Sequence, residues 1–433
     1  MSPIEEPRRR SSVRRPSAGM NALGPMTMSH VAKPGEDFKL IYIGAGHINF
    51  GSDEGPWDHS FRLEHKLGPR LKVVALIDPN EATAKMVLDR KCSSFVKPAY
   101  ENTRICKSFE DFLATMKPEE RPHAFIVGSP PAFRGSIQQG RDIELQIIQA
   151  FPENTPAIFV EKPLSTDTVE NALAVNQALI DKNTTVAVGY FLRYLKVVQK
   201  MRSIIEDNDL HVMATVARYV SSYAKIEKYG WWTKSRDCGP VVEQGTHFID
   251  LSRYFGGDVE MDSVQANALE WYEEAGELSA IPLDESKIEE NDRIPRVTSA
   301  TWKYKTGAVG SLTHALVLRG TKYSTELEVY ADGYQLRLVD PYNAPSLILR
   351  TPESDNLETI TFPADDPYFG QMSAFIDSCD PNAASNAIAD DDELEILSTF
   401  NDAVKSYALS WAIREASEKS LKTARVARKA TKA

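Results

Sequence analysis

"PAIFVEKPLSTDTVENALAV" (residues 156–175) runs from an apolar, strand-like segment into Glu161, Lys162 and Pro163, and then into helical spacing. A charged pair at the end of a buried strand needs a reason, because burying an unpartnered charge is costly. The flanking sequence supplies one. "DFKLIYIGAGHINF" (37–50), "LKVVALIDPN" (71–80), "HAFIVGSPPAF" (123–133) and "TTVAVGYF" (184–191) repeat the pattern of a short apolar run closed by special residues. Stretches with helical periodicity, such as "IELQIIQAF" (143–151), lie between them. Five near-continuous apolar strands alternating with helices predict a doubly wound parallel sheet covered on both faces. Ligands of such sheets bind at the carboxyl ends of the strands, where Glu161 and Lys162 stand.

The first strand ends in a G-x-G turn at Gly44 and Gly46, with Asn49 in place of a third glycine. The second strand ends in Asp78, a carboxylate able to accept ribose hydroxyls and repel a 2′-phosphate. No arginine follows it directly, which favours NAD over NADP. Expected cofactor contacts are Gly44, Gly46, His47, Ile48, Asp78, Ser129, Pro130, Glu161 and Lys162. Asp78 lies further from Gly44 than the usual ~20 residues, because "GSDEGPWDHSFRLEHKLGPR" (51–70) intervenes.

After residue 211 the pattern turns β-rich, as in "RVTSATWKYKTGAVGSLTHALVL" (296–318) and "STELEVYADGYQLRLVD" (324–340), with Thr306-Gly307 and Asp332-Gly333 as turn pairs. This predicts a mostly antiparallel sheet. The acidic segment 272–296 reads as an exposed insertion. "DDDELEILSTFNDAVKSYALSWAIREASEKS" (390–420) reads as a closing helix with an acid-rich start.

Composition narrows the function. The chain has 433 residues, 42% hydrophobic and 26% charged, as in an ordinary globular protein of two or three domains. Residues 1–36 carry six Lys/Arg against three Glu, and residues 419–433 six Lys/Arg and no acid, yet the net charge is −11. The body is therefore strongly acidic, which argues against nucleic acid as the main ligand. Residues 1–36 and 421–433 read as basic tails, the first disordered. No apolar run is long enough to span a membrane. Four cysteines without metal spacing fit a reducing, cytoplasmic setting.

Glu161-Lys162-Pro163, together with "GPVVEQGTHFIDLSRYFGG" (239–257), resembles the glucose–fructose oxidoreductase / inositol dehydrogenase (Gfo/Idh/MocA) family. The second stretch is similar to that family's acid-x-Gly-x-His-x-x-Asp segment. The resemblance spans about residues 38–420. It implies an NAD-binding Rossmann domain (37–190), a C-terminal α+β domain with a large open sheet (191–420), a nicotinamide cofactor and a sugar or polyol substrate. It also implies a homodimer or homotetramer, and a special, often cis, peptide bond at Pro163. The sequence departs from the family at Glu243, where many members have Asp, at Arg134, where they often have His, and at Asn49.

Oxidising a secondary alcohol moves a hydride and a proton. Histidine suits the proton step, which makes His247 the candidate base. Glu243, four residues earlier, is expected to orient it or to bind a substrate hydroxyl. Lys162 is expected to stabilise developing alkoxide charge. No metal is expected, since Lys162 and His247 would take over its work. Arg193, Asp250, Trp231 and Trp232 are expected to meet the substrate, the tryptophans as a platform for a sugar ring. Two alternatives remain open: a non-catalytic dinucleotide-sensing regulator, which need not keep Lys162 and His247, and a reductase of a non-sugar substrate.

Overall fold

In a computed structural model the described residues are 36–53, 55–380 and 395–430, with side chains described as far as 420. The expected N-terminal tail lies, but for Glu36, outside them. The N-terminal sheet has six parallel strands, β1 (Phe38–Ile43), β2 (Leu71–Ile77), β3 (Arg104–Cys106), β4 (Ala124–Val127), β5 (Ala157–Val160) and β6 (Val186–Val188), in the order β3-β2-β1-β4-β5-β6. This is the doubly wound dinucleotide-binding order. β3 was not expected from the sequence: it has only three residues, two of them half-buried, too few to show a pattern. By contrast, β4 and β5 are four-residue apolar runs buried throughout.

The second sheet has eight strands: β7 (Val212–Ser222), β8 (Val259–Leu269), β9 (Val297–Tyr304), β10 (Val309–Leu318), β11 (Ser324–Ala331), β12 (Tyr334–Val339), β13 (Ser346–Thr351) and β14 (Ser354–Thr361). Their order is β14-β13-β12-β11-β7-β10-β9-β8. Only β7 and β10 pair in parallel. β9 alternates buried and exposed residues along "VTSATWKY", so one face packs on the core and the other stays open. The helices Lys196–Asp207 and Thr246–Gly256 fill the covered face with Val197, Met201, Phe248 and Leu251, each at most 1% exposed.

The C-terminal unit expected over 191–420 does not keep to its own side. The helix Pro367–Cys379 packs on the helix His59–Leu67 of the first domain. There Met372, Phe375 and Ile376 join the core beneath β1 and β2. Lys66–Asp377 (2.8 Å) and Arg70–Asp380 (2.7 Å) fasten the two. The C-terminal helix Phe400–Ala430 lies against both the helix Val169–Asp181 and β8. Its start is Phe400, capped by Thr399 Oγ1, which accepts the Asp402 N–H. The acid-rich segment before it is therefore not its first turn, and 390–394 fall outside the described residues. The helical backbone also continues to Ala430, through most of the expected second tail.

The 272–296 segment is not a loose insertion. Ile288 and Ile294 are buried with Tyr223, Trp231, Trp232 and Leu316, and Arg296 pairs with Glu285 at 2.6 Å. Its acidic residues hide an apolar underside, which explains why the sequence looks exposed.

Candidate active site

β1 delivers the chain into a tight turn. Gly44 has φ +98°, and a Cβ there would lie 2.9 Å from the Ser129 nitrogen at the end of β4. A Cβ on the exposed Gly46 would instead project into open space, so the backbone there is free for a phosphate to approach. His47 and Ile48 sit at the same mouth, exposed and half-buried. Asp78 is tied to this turn: its Oδ2 accepts the Ala45 N–H at 2.7 Å and its Oδ1 the Asn80 N–H at 2.8 Å. Asn49 stands in for the third glycine by donating to the Gly44 carbonyl at 2.7 Å. Gly128 gives it room, since a Cβ there would lie 2.5 Å from the Asn49 side chain. The turn fits a dinucleotide, although the helix it opens, His47–Phe50, is a single turn. Residues beyond it lead Trp57 to the core of the second domain before the helix His59–Leu67 begins.

Next along the same edge is the end of β5. Glu161 is 7% exposed. Its Oε1 meets His59 Nε2 at 2.7 Å, and its Oε2 accepts the Lys162 N–H at 3.1 Å. The Lys162–Pro163 peptide is cis. Lys162 Nζ donates to the Glu243 carbonyl at 3.1 Å and lies 3.5 Å from Glu243 Oε1. Trp231 Nε1 donates to Glu243 Oε2 at 3.3 Å. Lys162 thus bridges the two domains.

Glu243 lies in a π-helical turn, Val241–Gly245, that runs into the helix bearing His247. The wider turn rotates the two side chains apart, and Glu243 serves Lys162 and Trp231 rather than the imidazole. His247 is 6% exposed and edge-on to Tyr190, Phe191 and Tyr342 at 5.2–6.1 Å. Its Nδ1 has no hydrogen-bond partner among the described residues. Burial, and secondarily the Lys162 charge, push its pKa well below the usual histidine range, so the ring is neutral.

A second imidazole lines the same region. His314 Nε2 lies 3.2 Å from Gln244 Oε1, and its ring stacks on Tyr219 at 5.1 Å. Burial holds its pKa down to about 3. This has a stability consequence. A histidine whose folded pKa is depressed stabilises fully above its unfolded value, near 6.5, and loses that contribution as pH falls. Between pH 6.5 and about 5, His314 should cost about 2 kcal/mol of stability. Melting curves across that range should show a shallower acid loss in His314→Gln than in the wild type. Parallel slopes would refute the assignment.

Three expected substrate contacts are placed elsewhere. Arg193 and Asp250 are 4% and 1% exposed and pair through two bonds of 2.7 Å. Ser406 Oγ adds a third bond to Asp250 at 2.8 Å, and Arg193 also holds Asp402. These side chains join the second domain to the C-terminal helix and are consumed by one another. Trp232 is fully buried, its Nε1 donating to the Ile226 carbonyl at 2.8 Å. Only Trp231 of the pair reaches Glu243. Ser129 and Pro130 remain at the β4 end, half-buried and exposed.

The sequence reading missed His59 and gave Arg134 no role beyond a departure from the family pattern. Arg134 is 1% exposed and donates to four carbonyls, Ser129 (3.0 Å), Lys162 (3.4 Å), Leu164 (3.4 Å) and Glu161. Burial lowers its pKa to about 10. For His59 the available signal was the Asp-His pair opening a helix inside the extended 51–70 segment; Asp58 caps it through the Phe61 N–H.

Comparison with known proteins agrees with the two-domain fold. Residues 38–190 match a family model described as "Oxidoreductase family, NAD-binding Rossmann fold" (GFO_IDH_MocA), and residues 193–334 match "Putative oxidoreductase C terminal domain". Two uncharacterized proteins of Schizosaccharomyces pombe are 47% and 42% identical, each over 88% of this chain and over 92% and 98% of their own lengths. Among solved structures, levoglucosan dehydrogenase in complex with NADH superposes with a TM-score of 0.64 at 17% identity, covering 89% of this chain and 98% of that one. The WlbA dehydrogenase of Bordetella pertussis, in complex with NADH and UDP-GlcNAcA, gives 0.62 at 16% identity with the same coverage.

Proposed function

The chain belongs to the Gfo/Idh/MocA oxidoreductase family, and from that premise we propose that it is an NAD(H)-dependent dehydrogenase or reductase acting on a CH–OH group of a sugar, polyol or related small molecule. The observation that carries the reading is Lys162 Nζ, sent from the β5 end across the cleft to Glu243, beside a buried and neutral His247.

A bound nicotinamide supplies the hydride acceptor or donor. The chain supplies the rest. The Lys162 ammonium, one-fifth exposed, donates to the reacting oxygen and stabilises negative charge as it develops there. The neutral imidazole of His247 takes the hydroxyl proton in the oxidative direction and returns it in the reductive one. Glu243 accepts from a second hydroxyl, and Trp231, held by its Nε1, offers a ring for the apolar face of a sugar. Purified protein screened with NAD against sugars, polyols and sugar acids tests the reading; no turnover across such a panel would defeat it.

Asp78 is the proposed selector of NAD. Two backbone bonds hold its carboxylate at the end of β2, and a carboxylate in that position repels a 2′-phosphate. NADH should bind at least tenfold more tightly than NADPH, on the order of one kcal/mol or more, and Asp78→Ser should narrow the gap. A fluorescence titration reads both, and equal wild-type affinities would overturn the claim. We place the protein in the cytoplasm as a homodimer or homotetramer through the open face of the eight-stranded sheet, where Val216 and Val309 are 43% and 52% exposed.

A further inference from the structure

We propose that Arg134 and His59 are positioning residues that clamp the Glu161–Leu164 turn from two sides and so aim the Lys162 ammonium across the cleft. The inference rests on the catalytic reading of Lys162 given above. Arg134 holds the turn by its carbonyls: one guanidinium, rooted at the β4 end, gathers the oxygens of Glu161, Lys162 and Leu164 and that of Ser129. A planar fork of five N–H donors suits a cluster of converging carbonyls better than one ammonium would. His59 holds the turn by its N–H. It fixes one oxygen of Glu161, and the other oxygen accepts from the Lys162 backbone nitrogen.

Arg134 also offsets the charge of the buried Glu144, but its hydrogen bonds, like that of His59, go elsewhere. His59 is fully buried with its ring edge-on to Phe159 at 5.1 Å. Among the described residues its Nδ1 has no partner, so the imidazole's hydrogen bonding goes to Glu161 alone. Keeping a half-satisfied imidazole and a guanidinium in the interior is costly. Both spend their bonds on residues 161–164 and the adjoining Ser129. Space has been left for the arrangement as well, since a Cβ on Gly189 would lie 2.7 Å from Glu161 Oε1. The clamp thus reaches the reacting centre through Lys162 without touching it. Glu243 faces the ammonium at 3.5 Å and His247 feels its charge across the cleft, whereas Glu161 is bonded to the backbone nitrogen of Lys162.

The test uses full-length wild type, Arg134→Lys, His59→Leu and His59→Gln. Lys162 is labelled with acetic anhydride over a range of pH and quantified by peptide mapping, with and without NADH. Kinetics on an accepted substrate and melting temperatures run in parallel. Arg134→Lys and His59→Leu should displace the pH dependence of Lys162 labelling. They should lower kcat by roughly 10–100-fold, as misplacement of about an ångström does, while KM and NADH affinity stay within about threefold. His59→Gln, whose amide N–H can still reach Glu161, should recover most of the loss. Unchanged Lys162 labelling in Arg134→Lys and His59→Leu would overturn the clamp, and so would His59→Gln behaving like His59→Leu. If Arg134→Lys does not fold, the two His59 variants decide. If the wild type turns over nothing, the dehydrogenase reading fails, whereas the labelling still judges the clamp.

Discussion

Lys162→Ala and His247→Ala are each expected to lower kcat by roughly 10²–10⁴, the range for a positioned acid, base or charge stabiliser. The two residues come from different sequence regions, and the Lys162 charge is felt at His247 across the cleft. Lys162 ends β5, and His247 starts a helix of the second domain, near enough to feel the Lys162 charge. A neutral imidazole can accept a proton only if the alkoxide left behind is stabilised, and the ammonium provides that. On the proposed reading they act as one unit, and the double variant should then lose far less than the product of the single losses. NADH affinity should change little in His247→Ala, because the proposed role of that residue is toward the substrate. Lys162→Ala also removes a contact to Glu243, leaving that carboxylate with Trp231; KM should therefore rise as well. Steady-state kinetics with an accepted substrate and an NADH titration of each variant check these outcomes. Near-wild-type turnover in either single variant would remove that residue from the catalytic assignment.

The fold was legible where one residue pattern dictates one environment. Continuous apolar runs such as "AIFV" have no solvent face, so they marked the parallel strands and, through their ends, the Gly44, Asp78 and Lys162 positions. The second sheet was legible through alternation along β9 and β11. Legibility failed where an interaction joins residues distant in sequence. Arg193 and Asp250 carry the residue types of a substrate site, and only the packing of the C-terminal helix reveals that they satisfy each other. Glu243 and His247 stand four apart, which suggested one face of a helix; a π-helical turn between them breaks that spacing. His59 is 102 residues from Glu161 in the chain, and nothing local to either predicts the bond. The acidic 272–296 segment misled through composition, since its isoleucines pack inward and most of its charges face outward, Arg296 and its partner Glu285 excepted.

Removing one member of the Arg193–Asp250 pair is expected to be the most destabilising single change in the second domain. Asp250 is 1% exposed and accepts two 2.7 Å bonds from the guanidinium and one of 2.8 Å from Ser406. Burial works against the Arg193 charge, yet Asp250 and then Asp402 hold the guanidinium firmly protonated. Asp250→Ala strands that charge inside the protein with Asp402, itself partly exposed, as the remaining carboxylate. Breaking a buried pair from one side costs about 3–5 kcal/mol, most of it the penalty of the orphaned ion rather than the net worth of the bond. The double replacement Arg193→Met with Asp250→Leu removes both charges and should lose clearly less than Asp250→Ala alone. That reversal separates a structural pair from a substrate site. If Asp250 touched substrate, Asp250→Ala would raise KM and leave the melting temperature near the wild-type value. If it locks the C-terminal helix to the helix Thr246–Gly256, chemical denaturation will show the loss, KM in the surviving folded fraction will hold, and the double variant will melt above the single one.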